Sequence, residues 1–259
     1  MKTFFEFLGR IFLNFIRQIG EFALLAIQVI QYFPHIYQNR RNIFKQMEVV
    51  GNKSLPLVLL IGIFTGIITA LEATNLFDKF NLLSIAKPFI GSSIATSIFT
   101  ELSPVLTALV IAGRIGASVA AEVGTMKVTE QLDALEMMSI DKNRYLAMPR
   151  VMATIVMMPI LVIFSYIVGL IGAYFLTALK FDFSLYLFFE SVQRFFAVKE
   201  ILLGLLKSAV FGGATSLIGI YVGYKTVGGA EGVGNSTVRA FTLSAASILF
   251  IDAIFGYFY

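Results

Sequence analysis

Five stretches of this chain are apolar for long enough to cross a bilayer: about residues 55–71 (extended toward Leu76), 89–121, 149–179, 201–224 and 238–257. A hydrocarbon core about 30 Å thick takes about 20 helical residues. Inside it every backbone N–H and C=O must find a partner within the protein, and a helix supplies one within the segment. Composition agrees, with 58% hydrophobic and 14% charged residues, against about 45–50% and about 25% in soluble domains. The expectation is an all-α polytopic membrane protein with about five transmembrane helices.

The first 50 residues read differently, as an interfacial segment ahead of a five-span domain over 51–259. Phe4, Phe7, Leu8, Ile11, Phe12, Phe15, Ile19 and Phe22 recur at helical spacing, opposite Glu6, Arg10, Asn14, Arg17, Gln18 and Glu21. That pattern predicts an amphipathic helix lying in the interface, not a signal peptide with one charged end and an apolar block. The run from Phe22 to Phe33 is too short to span and is expected to continue along the surface or dip into it. On the far side of the domain, residues 181–198 are amphipathic and are expected to lie along the outer surface.

Basic residues predict the orientation. The N-terminal segment and the connections 113–150 and 225–239 hold 14 of the 20 Lys and Arg. The opposite connections hold 5, and Lys207 lies within the fourth span. Positive charge collects on the cytoplasmic side, which puts the N-terminus there and the C-terminus outside. The same uneven placement argues against a nucleic-acid partner.

Several chemistries are absent. Cys is missing, which excludes disulfides and thiolate metal sites, and His35 is the sole histidine, so a histidine-pair metal site is excluded. No phosphate-cradling loop of the GxxxxGK[ST] type occurs. The cluster GGAEGVGNST (228–237) follows a membrane span rather than a strand, and is expected to be a flexible cytoplasmic turn. No catalytic residue is assigned, and no cofactor is expected in this chain.

The stretch TELSPVLTALVIAGRIGASVAAEVGT (100–125) carries what chemistry there is. A carboxylate within a membrane helix costs roughly 2.5–3.5 kcal/mol on insertion scales, so Glu101 should face a bundle interior or a water-filled cavity. Pro104 cannot donate its N–H and crowds the Thr100 carbonyl, so the helix should bend there. Arg114, roughly 20 Å further along, belongs near the cytoplasmic headgroups. Small residues at four-residue spacing follow: Ala112, Gly116, Ala120 and Gly124 in one row, Gly113, Ala117 and Ala121 in the next. Such rows allow close helix approach, either within one chain or across a dimer seam, with Gly113, Gly116, Ala117 and Ala120 as the candidates. Glu101 likewise serves either a hydrogen bond to a neighbouring helix or a cavity.

Beyond Gly124 the chain turns too polar to cross a membrane. Over 125–138, Val128, Leu132, Leu135 and Met138 fall on one helical face, with Lys127, Glu130, Asp133 and Glu136 on others. Its mainly acidic charge disfavours anionic lipid and suits a protein groove. A short cytoplasmic coupling helix, receiving work from a separate ATPase, fits that composition.

The run ELSPVLTALVIAGRIGASVAAEVGTMKVTEQLDALEMM, with YLAMPRVMA and GGAEGVGNSTVRAF after it, resembles the MlaE (YrbE-type) permease family. The resemblance covers about residues 45–259; Ser103 departs from it, where the family has Gly before the Pro. It implies the permease subunit of an ABC transporter that moves phospholipids or related lipids. It also implies a homodimer in the bacterial inner membrane, or an equivalent organelle envelope, with two ATPase subunits holding ATP and Mg. An outward ring of MCE domains, and in some cases a STAS-domain protein, would complete the assembly. Under that resemblance Val128, Glu130, Leu132, Asp133, Leu135 and Glu136 belong to the ATPase-coupling segment. Glu101, Ser103, Pro104 and Thr107 would line the lipid cavity. Two rivals stand beside this reading: an ion- or proton-coupled secondary transporter using Glu101, and a non-transporting membrane scaffold.

Overall fold

The computed structural model describes residues 2–80, 83–181, 183–194 and 197–258. α1 (Lys2–Gln31) meets α2 (Ile36–Lys79) through a 3-10 turn at Phe33–His35 that carries Pro34 in its first turn. α3 (Leu83–Ser97), α4 (Ser103–Ile111) and α5 (Ala117–Val128) run on from one another through π-helical turns at Ile98–Leu102 and Ala112–Gly116. The short α6 (Gln131–Met137) precedes a third π turn, Asn143–Ala147, and α7 (Met148–Phe181). α8 (Leu185–Arg194), α9 (Val198–Tyr224) and α10 (Gly229–Phe258) complete the chain. Among the described residues there is no strand. Five helical stretches are long and apolar enough to cross a membrane: Phe12–Lys79, Lys87–Val128, Asn143–Phe181, Val198–Tyr224 and Gly229–Tyr257.

Small residues decide how these helices meet. α2 and α7 both start at the end of the bundle that carries most of the Lys and Arg, the basic end, and pack along their length. A Cβ at Gly66 would lie 1.8 Å from the Gly169 carbonyl oxygen, and one at Gly172 2.5 Å from that of Ile63. Backbones this close gain dispersion and weak polar contacts that lipid cannot replace. The 112–124 row is used the same way, against α9 and α10. A Cβ at Gly219 would lie 2.7 Å from the Gly116 carbonyl oxygen, and one at Gly124 2.7 Å from Thr226 Oγ1. Gly116 and Ala120 are thus buried within one chain, Ala117 is also buried, and Gly113 lies on an exposed face beside Phe241.

Two buried clusters fill the bundle. One joins Leu25 and Val29 of α1 to Ile111, Val123, Leu132, Met148 and Phe211. The other gathers Ile90, Ile94, Ile98, Phe99, Tyr166 and Phe188, and seats α8 against α3.

Two expectations change. The run after Phe22 continues α1 to Gln31 with Leu24, Ile27 and Ile30 exposed, while Leu25 and Val29 are buried in the first cluster. The apolar stripe expected at Phe4, Phe7, Leu8, Ile11 and Phe15 lies outside the described side chains. The glycine cluster at 228–237 is no flexible turn, because α10 begins at Gly229. Within that cluster only Gly228 and Gly229 take positive φ, +93° and +67°, the conformation for which glycine is suited. Finally, 125–138 is not one helix. α5 ends at Val128, Glu130 adopts a left-handed φ of 60°, and α6 starts at Gln131. The turn redirects the chain so that Leu132 points into the core, and a Lys127–Asp133 salt bridge of 3.0 Å closes the corner.

Candidate functional site

The site begins with two backbone carbonyls that the helix releases. In the π turn, the Ser103 N–H bonds back five residues to the Ile98 carbonyl, so the Phe99 carbonyl loses its ordinary donor. The next carbonyl, Thr100, would need the N–H of residue 104, which is proline. Both are satisfied from neighbouring helices. Tyr166 Oη on α7 donates to the Phe99 oxygen at 2.7 Å, and Lys207 Nζ on α9 donates to the Thr100 oxygen at 3.1 Å. A Cβ at Gly204 would lie 2.2 Å from both the Phe99 oxygen and Tyr166 Oη, so α9 can reach this place only with glycine there.

Lys207 then gathers charge. Its Nζ lies 2.9 Å from Glu101 Oε2 and 2.5 Å from Asp252 Oδ1 of α10. The ammonium donates hydrogen bonds to the Thr100 oxygen and to Glu101, and meets Asp252 as an ion pair. Lys207 is 4% exposed although it lies about 14 Å in from the start of α9. The two carboxylates make burial of that cation tolerable. Their environments differ, for the Glu101 side chain is 48% exposed and that of Asp252 22%. Of the two carboxylates that share one ammonium, Glu101 is the one that reaches the surface.

A cleft beside it is lined by Thr100, Glu101, Leu203, Lys207 and Phe255, with about 20 Å3 of water-sized space. That admits about one water and no lipid headgroup. The other sequence candidates do not open onto it. Ser103 and Thr107 are buried within the bundle, and Ser165 Oγ donates to Ser103 Oγ at 3.1 Å; Pro104 is buried too. They position the helix, and Glu101 alone of the four reaches a surface. The sequence places Lys207 within the fourth span and Asp252 within the fifth, and neither spacing nor periodicity joins them to Glu101. Their signal was that, within the apolar runs, few other charged residues were available to answer Glu101.

A second polar region lies at the basic end. Arg150 of α7 is buried and donates from Nη2 to Glu122 Oε2 of α5 at 2.9 Å and from Nη1 to the Leu146 carbonyl at 3.1 Å. Arg114 reaches Ser54 at 3.3 Å. An open groove of about 550 Å3 runs beside α6, lined by Ala121, Glu122, Thr125, Met126, Gln131 and Arg150. Of the coupling candidates, Leu132 is 2% exposed, and Val128 and Leu135 are half-buried. Glu130, Asp133 and Glu136 are exposed, with Glu136 accepting from Lys142 at 2.6 Å. Met137 and Met138, 87% and 69% exposed, form the outward apolar surface instead.

The α6–α7 connection is tied to the α1–α2 elbow. Tyr32 Oη donates to Asp141 at 2.5 Å, Asn143 to Gln28 at 2.8 Å, and Arg144 to Gln38. Burial works to raise the Asp141 carboxyl, but the Tyr32 hydroxyl, the backbone N–H groups of Arg144 and Asn143, and the Lys142 ammonium outweigh it. The net effect holds Asp141 below the usual carboxylate range. Among the described residues, no group of three or more His, Asp or Glu side chains is placed to hold a metal.

The family described as Permease MlaE matches residues 43–258. The chain belongs to the MlaE permease family. It is 31% identical over 97% of its length to the intermembrane phospholipid transport system permease protein MlaE of Haemophilus influenzae, covering 95% of that protein. It is 41% identical to a probable ABC transporter permease protein of Synechocystis, over 87% of this chain and 85% of the other. A probable ABC transporter permease protein of Rickettsia bellii is 36% identical, over 93% and 92%. The chain is thus a multi-pass ABC transporter permease of the MlaE family, a membrane subunit whose family implies an ATPase and a transported substrate as partners.

Proposed function

We propose that this MlaE permease moves phospholipids or related lipids between the inner membrane and an MCE-domain partner, driven by a separate ATPase. The observation that carries the reading is the Glu101 carboxylate, held by Lys207 and left half-exposed among apolar helices. A lipid needs an apolar path for its tails and a polar group for its head. One chain encloses space for about one water there, so a headgroup site requires a second copy facing the first. That supports a homodimer with Glu101 at its cavity, Asp252 and Lys207 fixing the carboxylate, and Ser103, Pro104 and Thr107 shaping the helix behind it.

Work enters at the basic end, which positive charge assigns to the cytoplasm. The N-terminus lies on that side and the C-terminus in the periplasm. Two ATPase subunits, holding ATP and Mg, dock on α6 through Met137, Met138 and the groove beside Glu122. The chain supplies no catalytic residue, and the complex hydrolyses ATP through its partner. An MCE ring sits outside, and a STAS-domain protein on the ATPase is a further member. The test is lipid transfer by the reconstituted complex: Glu101→Ala should stop transfer while the complex still assembles and its ATPase still turns over. Unchanged transfer would sink the role given to Glu101.

One observation favours a second reading. Charges paired across helices next to a π turn are also what a proton- or ion-coupled carrier uses. Transfer that persists without ATP and follows a proton gradient would select it. A scaffold would tolerate Glu101→Ala altogether.

A further inference from the structure

A second cleft, of about 190 Å3, opens between α2 and the start of α7 at the basic end, well apart in sequence from the Glu101 cluster. Asn42, Lys45 and Gln46 line one wall; Tyr145, Leu146, Pro149 and Arg150 line the other. No carboxylate lines it. Lys45 is exposed and forms no salt bridge among the described residues. Arg150 is the rigid floor, pinned by the Leu146 carbonyl and by Glu122 from the opposite side, with a buried Nε that has no partner. Lys45 brings an exposed cation, Arg150 a guanidinium whose charge is already paired with Glu122, and with two amides and a phenol the lining matches a phosphate monoanion or diester.

The surroundings have the other half of a lipid's chemistry. Phe44, beside Lys45, is exposed at the rim. From Gln46 along α2, Leu57, Leu60 and Phe64 repeat at helical spacing on the same face, and all are exposed. From Pro149 along α7, Val156, Ile160 and Ile163 do the same. These faces point away from the contact that Gly62 and Gly66 of α2 make with Ser165 and Gly169 of α7, so each helix presents its own apolar stripe outward from the level of the cleft. Basic pockets between membrane helices on the cytoplasmic side are suited to anionic lipid headgroups.

We propose that the cleft formed by Asn42, Lys45, Gln46, Tyr145 and Arg150 binds the phosphate of an anionic phospholipid whose tails lie against the exposed apolar stripes of α2 and α7. This lipid is a resident of the permease, distinct from the one handled at Glu101. It braces the parallel helix pair at the end where α6 is attached.

The test uses the full-length protein purified in detergent and titrated with phosphatidylglycerol or phosphatidylcholine under native mass spectrometry. One phosphatidylglycerol per chain should be held more tightly than phosphatidylcholine. Lys45→Glu should weaken it about five-fold or more, whereas Lys53→Glu, on the same helix but outside the cleft, should leave it in place. The loss should persist in a Glu101→Ala background, which separates this site from the transported lipid. Equal binding by Lys45→Glu and the parent protein would overturn the proposal. So would displacement of the lipid by millimolar inorganic phosphate, which would make this an anion site only. If Lys45→Glu keeps its lipid but releases the ATPase, the cleft serves a protein partner and the proposal is likewise overturned.

Discussion

Lys207 supplies the hydrogen bond that Pro104 cannot make. Its Nζ reaches the Thr100 carbonyl at 3.1 Å while contacting Glu101 at 2.9 Å and Asp252 at 2.5 Å. One side chain thus stabilises the break in the helix and the charge beside it. Replacing it with Met leaves two carboxylates without their cation and one carbonyl without a donor. Lys207→Met should lower stability by about 3–5 kcal/mol, read as loss of the folded protein in detergent on denaturant titration. Lys207→Met with Asp252→Asn should recover part of that loss, because it removes the more buried uncompensated charge. A double variant no more stable than the single would contradict this account of the cluster.

Gly204 tests the same junction from the packing side. A methyl group there meets the Phe99 oxygen and Tyr166 Oη at 2.2 Å each, and neither is the loose end of a flexible chain. Gly204→Ala should cost about 1–3 kcal/mol through displacement of α9. Tyr166→Phe removes only the hydrogen bond and should cost about 1 kcal/mol. Thermal unfolding of the two variants in one detergent would rank them, and the reverse order would mean α9 adjusts freely.

What the sequence made legible and what it hid divide along a physical line. Apolar runs of about 20 residues report their solvent whatever they pack against, so the five spans could be read directly. Glu101 and Pro104 stood out because each violates a local rule of membrane helices. Their partner did not, since Lys207 is 106 positions from Glu101 and only the packing of α9 on the π turn joins them. Leu132 was read as outward because periodicity assumes an unbroken helix. The left-handed Glu130 resets that phase, and a non-glycine residue gives little local warning of such a conformation. The glycines at 228–237 misled in the opposite sense: each costs about 1 kcal/mol in a helix, yet α10 forms through them from Gly229 onward.

The two glycine environments predict opposite tolerances. Gly66→Ala puts a Cβ 1.8 Å from the Gly169 carbonyl oxygen and must push α2 from α7, so folding yield should fall sharply. At Gly113 the nearest atom, in Phe241, is 3.5 Å away, an ordinary contact. Gly113→Ala should fold normally and gain slightly from helix propensity. If Gly113→Ala folds normally but fails to pair with a second copy, Gly113 belongs to the dimer seam.

Asp141 gives a pH dependence with a definite sign. Its folded-state pKa is depressed, so its contribution is present above the unfolded value, about 3.9, and is lost as pH falls through the lower folded value. The contact with Tyr32 should therefore loosen below about pH 4, freeing the α6–α7 connection from the elbow. Hydrogen exchange over residues 141–147 should rise in that window, and Asp141→Asn should already show the raised exchange at neutral pH. Exchange that is flat with pH in the parent protein would remove Asp141 from the latch.

The face that α6 presents decides how coupling should be probed. Leu132 is 2% exposed and packs in the main core, so Leu132→Asp buries an unpaired carboxylate and should impair folding before it affects any partner. Met137 and Met138 are the exposed apolar groups beside it, and flexible thioethers suit a protein-binding surface. Met138→Glu should leave the permease folded and inserted, yet lower capture of its ATPase by at least ten-fold, the effect of about 1.4 kcal/mol at an interface. Met137→Glu should act in the same direction. A Met138→Glu permease that still captures its ATPase fully, while Leu132→Asp is folded and does not, would place the contact on the buried side of α6 and require that helix to turn over on docking.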